Sequence, residues 1–196
     1  GTIKMNLMII LLGAYFVWRY MASGSSKPSQ EPIPTPTPVE PLPLPPVPTI
    51  YLERQRVFMV ERFAALINAV ANSLKLDPNI IRALIYIQSG GDDAARIMQP
   101  DSEYGYGLTQ ITCSRARRLA VDPTLESITP ITDCLDLETP INSIFFGAAY
   151  LNALYQGDWA AALARYYSST ANLLPTQAAS KKAALTLAVA NSWALK

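Results

Sequence analysis

Ala83-Leu84-Ile85-Tyr86-Ile87-Gln88-Ser89-Gly90-Gly91, with Gly105-Tyr106-Gly107-Leu108-Thr109-Gln110-Ile111 following, is the stretch that decides the fold. Asp77-Pro78 ahead of it offers an N-cap and then proline at the first helical position. Ile80, Ile81, Leu84 and Ile87 recur at helical spacing, and Gly90-Gly91 ends the run. Gln88 therefore stands at the C-terminal end of an apolar helix, one turn beyond Leu84 and two beyond Ile81, on the same buried side. A polar cluster follows, with Asp92, Asp93, Asp101, Ser102 and Glu103, and then a glycine-rich turn flanked by Tyr104 and Tyr106. A helix end, a turn that admits close backbone approach and flanking aromatics look like one wall of a sugar-binding cleft. They also describe a helix C-terminus running into a solvated acidic loop, and on these residues alone both readings stand.

Outward from this stretch, residues 50–196 read as helical. Apolar residues at 57, 60, 63, 64, 67, 70, 71 and 74 predict one helix over 57–74. Further helices are expected over 114–120, from Pro140 through Leu154, from the Asp158 cap to about Tyr167, and over 177–193. Only residues 104–112 offer short strand-like stretches, so the expected class is all-α with at most a small β element. No internal repeat is visible.

The first 49 residues differ in kind. Residues 5–18 carry no charge and lie between Lys4 and Arg19. A bilayer span needs about 20 residues. Snorkelling of Arg19 and interfacial seating of Trp18 and Tyr20 let residues 5–22 serve as a membrane anchor. A cleaved signal peptide ending near Ala22 is the competing reading. Residues 23–49 form a linker, in which ten of the 21 positions from 28 to 48 are proline. Such a run favours polyproline II and extends at about 3.1 Å per residue, roughly 65 Å in all. Three parts are thus expected: an anchor over 1–22, a spacer over 23–49 and a folded domain over 50–196.

Composition removes several chemistries. From residue 50 onward there are 13 basic and 13 acidic residues, so no basic footprint for a nucleic acid exists. The chain has no histidine and two cysteines, which argues against a zinc site and excludes Ser-His-Asp and Cys-His nucleophile systems. Any hydrolytic or lyase chemistry must rest on carboxylates, tyrosines or lysines, and no cofactor is expected.

The motifs resemble those of the soluble lytic transglycosylase domain, a member of the lysozyme-like superfamily. That family's signature is a helix ending in Glu-Ser-Gly, then a Gly-x-x-Gly-Leu-x-Gln-Ile-type segment about 20 residues on. Leu74-Lys75-Leu76-Asp77-Pro78 resembles the lead-in to its catalytic helix. Pro140-Ile141-Asn142 with Gly147-Ala148-Ala149-Tyr150-Leu151 resembles its Asn-Ile-x-x-Gly-x-x-Tyr-Leu helix. Gly157-Asp158 and Ala162-Leu163-Ala164-Arg165-Tyr166 resemble its Gly-Asp and Ala-Leu-Ala-x-Tyr-Asn segment. Four motifs in order over residues 65–169 imply a lysozyme-like, peptidoglycan-directed domain. The resemblance implies cleavage between N-acetylmuramic acid and N-acetylglucosamine by one carboxyl that serves as acid and then base, closing a 1,6-anhydro ring. One group can do both if an apolar pocket raises its pKa toward neutrality. It need not sit beside the second carboxylate of an ordinary glycosidase.

By the same resemblance Gln88 occupies the catalytic glutamate position and Tyr166 is the tyrosine that leans toward it. Ser89, Ser102, Glu103, Tyr106, Gly107, Leu108, Gln110, Tyr150 and Tyr167 are the expected substrate-binding residues. Two departures stand out. An amide at 88 neither gives nor takes a proton near neutrality, and Tyr167-Ser168-Ser169 replaces the usual Asn-Ala-Gly. Gln88 reads as a substitution that traps an active enzyme, as a natural loss leaving a glycan-binding or scaffolding domain, or as a site where Glu103, Asp92 or Asp93 supplies the proton. Cys113 and Cys134, outside the cytoplasm, would form a disulfide that contributes about 3 kcal/mol, and two buried thiols are the alternative. The implied partners are peptidoglycan strands, the membrane through residues 5–22, and an envelope-spanning complex or virion proteins. The expected setting is the periplasmic face of a bacterial inner membrane, or a virion.

Overall fold

The computed structural model describes residues 50–120, 131–168 and 175–195. The anchor and the proline-rich spacer lie outside the described residues. The helices are α1 (Arg54–Glu61), α2 (Ala64–Leu74), α3 (Pro78–Gln88), α4 (Cys113–Ala120), α5 (Pro140–Leu154), α6 (Trp159–Tyr166) and α7 (Gln177–Ala194). Three short strands, β1 (Arg96–Met98), β2 (Tyr104–Tyr106) and β3 (Ile111–Thr112), form an antiparallel sheet in sequence order. A 3₁₀ turn, Cys134–Glu138, precedes α5. The domain is mainly helical with a small β element.

α3 is the central helix. Ile80, Ile81, Ala83, Leu84 and Ile85 are all fully buried, the mark of a helix packed on every side rather than along one stripe. Each such aliphatic side chain stabilises the fold by about 1.5–3 kcal/mol. The Asp77 carboxylate caps α3 by accepting from the Asn79 N–H at 2.8 Å. α7 and α1 pack on α3, and α2 packs on α5. α5 presents Ile144, Ala148 and Leu151 to the main core, and Phe146 and Ala149 to a smaller one with Ile111, Ala116, Leu119, Ile131 and Leu137. That second core carries the sheet.

Two sequence expectations change. The helix expected over 57–74 is two helices, α1 and α2, bent by 65°. Nothing in the sequence between them is a proline or glycine. The bend lets Val60 pack against Gly91 beyond α3, where a Cβ would meet the Met59 and Val60 backbone within 3 Å, while α2 packs on α5. Strand β1 was not expected, because Arg96-Ile97-Met98 is exposed throughout and carries no burial alternation.

Two contacts lock the sheet onto the helices. Thr109 N–H donates to Ser143 Oγ at 3.1 Å, and Thr109 Oγ1 donates to the Ser143 carbonyl at 2.7 Å. Gly147, one turn on along α5, makes room for that threonine, since a Cβ there would collide with its side chain. Arg115 on α4 is buried. Its guanidinium donates to the Tyr166 carbonyl at 2.9 Å, the Ser168 carbonyl at 2.7 Å and Asp101 Oδ2 at 3.0 Å, with its carbon 5.2 Å from the Tyr150 ring centroid. Cys113 and Cys134 are disulfide-bonded, joining the start of α4 to the 3₁₀ turn.

Gly147→Ala should overpack the Thr109 contact and destabilise the domain by about 1–3 kcal/mol, read as a lowered Tm. Arg115→Met leaves the Asp101 carboxylate without its cation and should cost about 3–5 kcal/mol. An Asp101→Asn/Arg115→Met double variant should lose much less than the two single changes added together, as measured by urea unfolding.

Candidate functional site

The site is built on the end of α3. Gly90 and Gly91 take positive φ, 66° and 90°, a conformation that glycine adopts without strain and that stops the helix. Ser89 Oγ donates to the Leu108 carbonyl at 2.8 Å and accepts from the Gly91 N–H at 3.2 Å. The helix end and the glycine-rich turn are therefore held together across 19 residues.

Gln88 is buried, yet it lines two depressions of about 640 and 390 Å³ that share it with Ile87 and Ile97. The larger is walled by Glu53, Arg56, Met59, Ser89, Asp92 and Arg96. Met98, Pro100, Tyr167, Thr176, Ala179 and Lys182 wall the smaller. Depressions that meet at one residue suit an extended ligand laid across it. The rim residues Ile97 and Met98 are 46% and 53% exposed, and they offer apolar surface of the kind a sugar face packs on.

Lys182 Nζ, from α7, donates to Gln88 Oε1 at 2.7 Å and sits 4.5 Å from the Tyr167 ring centroid. Among the described residues it pairs with no carboxylate, and burial pushes its pKa down. Thr186 Oγ1 donates to the Lys182 carbonyl at 2.8 Å. The threonine has one hydroxyl proton, so the Tyr167 hydroxyl is the donor in the 2.7 Å contact between Tyr167 and Thr186. That chain holds the Tyr167 ring against the backbone of α7. With Oε1 engaged by the ammonium, the amide Nε2 of Gln88 is the group left to donate to a ligand.

The sequence-predicted residues divide into cleft and support. Gln88, Ser89 and Tyr167 line the depressions; Ser102, Glu103, Tyr106, Gly107, Leu108, Gln110, Tyr150 and Tyr166 line neither of them. Leu108 is fully buried. Gln110 is buried too, and its side chain binds the hairpin: Nε2 donates to the Ala95 and Gly107 carbonyls, and Oε1 accepts from the Ile97 N–H at 2.9 Å. It places Ile97 on the cleft rim. Gly107 has φ 65° and lies so near the Leu137 carbonyl that a Cβ would collide with it. Tyr106 lies under the Arg96 guanidinium, which is also paired with Glu138. Glu103 Oε2 accepts from Ser114 Oγ at 2.6 Å, Ser102 is an exposed turn residue with φ 62°, and Tyr150 packs against Tyr166.

Tyr166 packs beneath the cleft. It is 1% exposed, and its hydroxyl donates to the Thr109 carbonyl at 2.9 Å, which commits its one proton inside the protein. Burial raises the pKa of both Tyr166 and Tyr167. Of the two, Tyr167 is the one on the cleft. Among the acidic candidates, Asp92 lines the larger depression and caps its own turn through the Ala94 N–H at 3.0 Å. Asp93 lines neither depression. Glu53 lines the larger one, paired with Arg56 at 3.2 Å.

Lys182 and the rim residues Ile97 and Met98 were not singled out from sequence. Lys182 had a signal: Ala179, Ala183, Thr186, Ala190 and Trp193 form the buried stripe of α7, and position 182 falls beside it at helical spacing. A lysine there is either costly or functional.

Residues 65–187 match the model of the Transglycosylase SLT domain. Seven chains of known structure match as well. One is an inactive mutant, with a glutamate replaced by glutamine, of the lytic transglycosylase Slt from Pseudomonas aeruginosa. The likeness covers 64% of this chain and 23% of that one, at a TM-score of 0.54 and 20% identity. This chain thus spans less than a quarter of that enzyme's length, and the likeness shows the fold. No curated protein matches. The SLT match extends over most of the chain, from α2 into the first part of α7, and the protein belongs to the lytic transglycosylase SLT family.

Proposed function

We propose that this protein holds peptidoglycan glycan strands in its cleft and, with Gln88 at the position of the family's catalytic glutamate, binds them without cutting. The observation that carries the reading is the seat of Gln88: buried, shared by both depressions, and with its amide oxygen held by Lys182. A strand across the two depressions would bring a β-1,4 linkage between N-acetylmuramic acid and N-acetylglucosamine to Gln88. The amide can donate a hydrogen bond there through Nε2 and cannot transfer the proton. Losing general acid–base catalysis costs about 10²–10⁴-fold, and more where one group serves both steps of 1,6-anhydro ring closure.

Lys182 favours natural loss over a trapped enzyme. A catalytic glutamate must stay protonated near neutrality until it protonates the leaving oxygen. An ammonium at hydrogen-bond distance does the reverse and stabilises the carboxylate. A neutral amide suits that lysine and a working acid does not. The proposed setting is the bacterial envelope or a virion, with residues 5–22 as a membrane anchor and residues 23–49 as a spacer setting the cleft off the bilayer. There the domain would serve as a glycan-gripping part of a larger assembly.

Isolated sacculi test the reading. The protein should bind them and release no 1,6-anhydromuropeptides. Gln88→Glu should give slow release, and Gln88→Glu/Lys182→Met should be about 10-fold faster or more, since one pKa unit regained is worth a factor of ten. Equal, rapid release by both variants would identify a trapped enzyme instead. Products with reducing ends would indicate hydrolysis. Absence of both sacculus binding and product from every form would overturn the glycan reading.

A further inference from the structure

Lys182 has more to offer than its contact with Gln88. An ammonium carries three donors, and one is taken by Gln88 Oε1. The Tyr167 ring lies on another side, 4.5 Å from Nζ to its centroid, and it does not neutralise the cation. The side chain is half-buried on the wall of the smaller depression. None of the other residues that line that wall is charged. The larger depression is different, because its two arginines, Arg56 and Arg96, are each paired with a glutamate, Glu53 and Glu138. In one depression each arginine is paired with a carboxylate, and in the other, among the described residues, Lys182 has no carboxylate partner. A partly buried ammonium without a carboxylate partner keeps donors free for a ligand's anion, and such a charge-assisted hydrogen bond adds affinity.

Resting on the glycan reading above, we propose that the smaller depression is a carboxylate subsite, in which Lys182 binds an acidic group carried by the sugar strand. A neutral oligomer of N-acetylglucosamine has no such group. Muramic acid has its 3-O-lactyl carboxylate, which is an amide in a strand that carries its stem peptide and a free anion in a strand that has lost it. Stem peptides carry carboxylates of their own. The chemistry at Lys182 is the same for either source. A site that reads a charge and performs no cleavage would select which strands the domain holds.

The test is binding of the full chain to three probes of matched length: N-acetylglucosamine oligomers, peptide-free glycan strands from amidase-treated sacculi, and peptide-bearing strands. At least one acidic probe should bind about tenfold or more tightly than the neutral oligomer. Lys182→Met should erase that difference, weakening the acidic probe by about tenfold more than it weakens the neutral oligomer, and Lys182→Arg should keep it. Preference for peptide-free strands assigns the lactyl carboxylate, and preference for peptide-bearing strands assigns the stem peptide; either supports the subsite. Equal binding of all three probes by the unaltered protein overturns the subsite and leaves the glycan reading intact. A Lys182→Met loss that is equal for neutral and acidic probes also overturns it, since the lysine would then only support the cleft. No binding of any probe overturns both.

Discussion

Three parts of the chain converge on the buried guanidinium of Arg115. α4 supplies it, the β1–β2 turn supplies Asp101, and the end of α6 supplies the Tyr166 and Ser168 carbonyls. A guanidinium cannot shed its charge in a protein, so once buried it must be surrounded by acceptors. The last carbonyls of a helix are suited to the task, being unpaired within the helix and at the negative end of its dipole. Arg115 therefore fixes where α6 stops. Tyr167 comes immediately after that stop, and it is the ring against which Lys182 lies. The position of the cleft cation follows from an ion pair on the far side of Tyr166.

The hairpin is held in the same way, by polar groups turned inward. Gln110 spends its whole amide on hairpin backbone, and Thr109 spends its hydroxyl on α5. Thr109 and Gln110, in the segment that looks in sequence like a sugar-binding loop, brace that loop from inside. Their hydrogen bonds compensate for the burial of polar groups, and what they present to the ligand is the strand they brace. The exposed edge residues Ile97 and Met98 form the rim; the motif residues hold it up.

The pair of Gln88 and Lys182 gives the site its character. Position 88 sits where an apolar helix opens into a groove, surroundings that would raise the pKa of a carboxyl group. Lys182 works against that, and it is compatible with an amide. Lys182 is half-buried on the groove wall, and among the described residues it has no carboxylate partner.

What the sequence determined by itself is what depends on neighbours along the chain. The Asp77 cap, the glycine stop after Gln88, the Pro140 start of α5 and the Asp158 and Thr176 caps are local hydrogen-bond and backbone constraints, and the motif order carried the family. Gln88 was legible for the same reason, at the end of an apolar helix beside a glycine-rich turn. The tertiary structure decided the rest. The α1–α2 bend has no breaker in the sequence and arises from packing on two different partners. Tyr166 and Tyr167 are adjacent and chemically alike, and only the Thr109 carbonyl and the Arg115 anchor decide which of them faces the cleft. Lys182 meets Gln88 across 94 residues, a contact that no local rule contains, because it exists only once α7 is laid against α3.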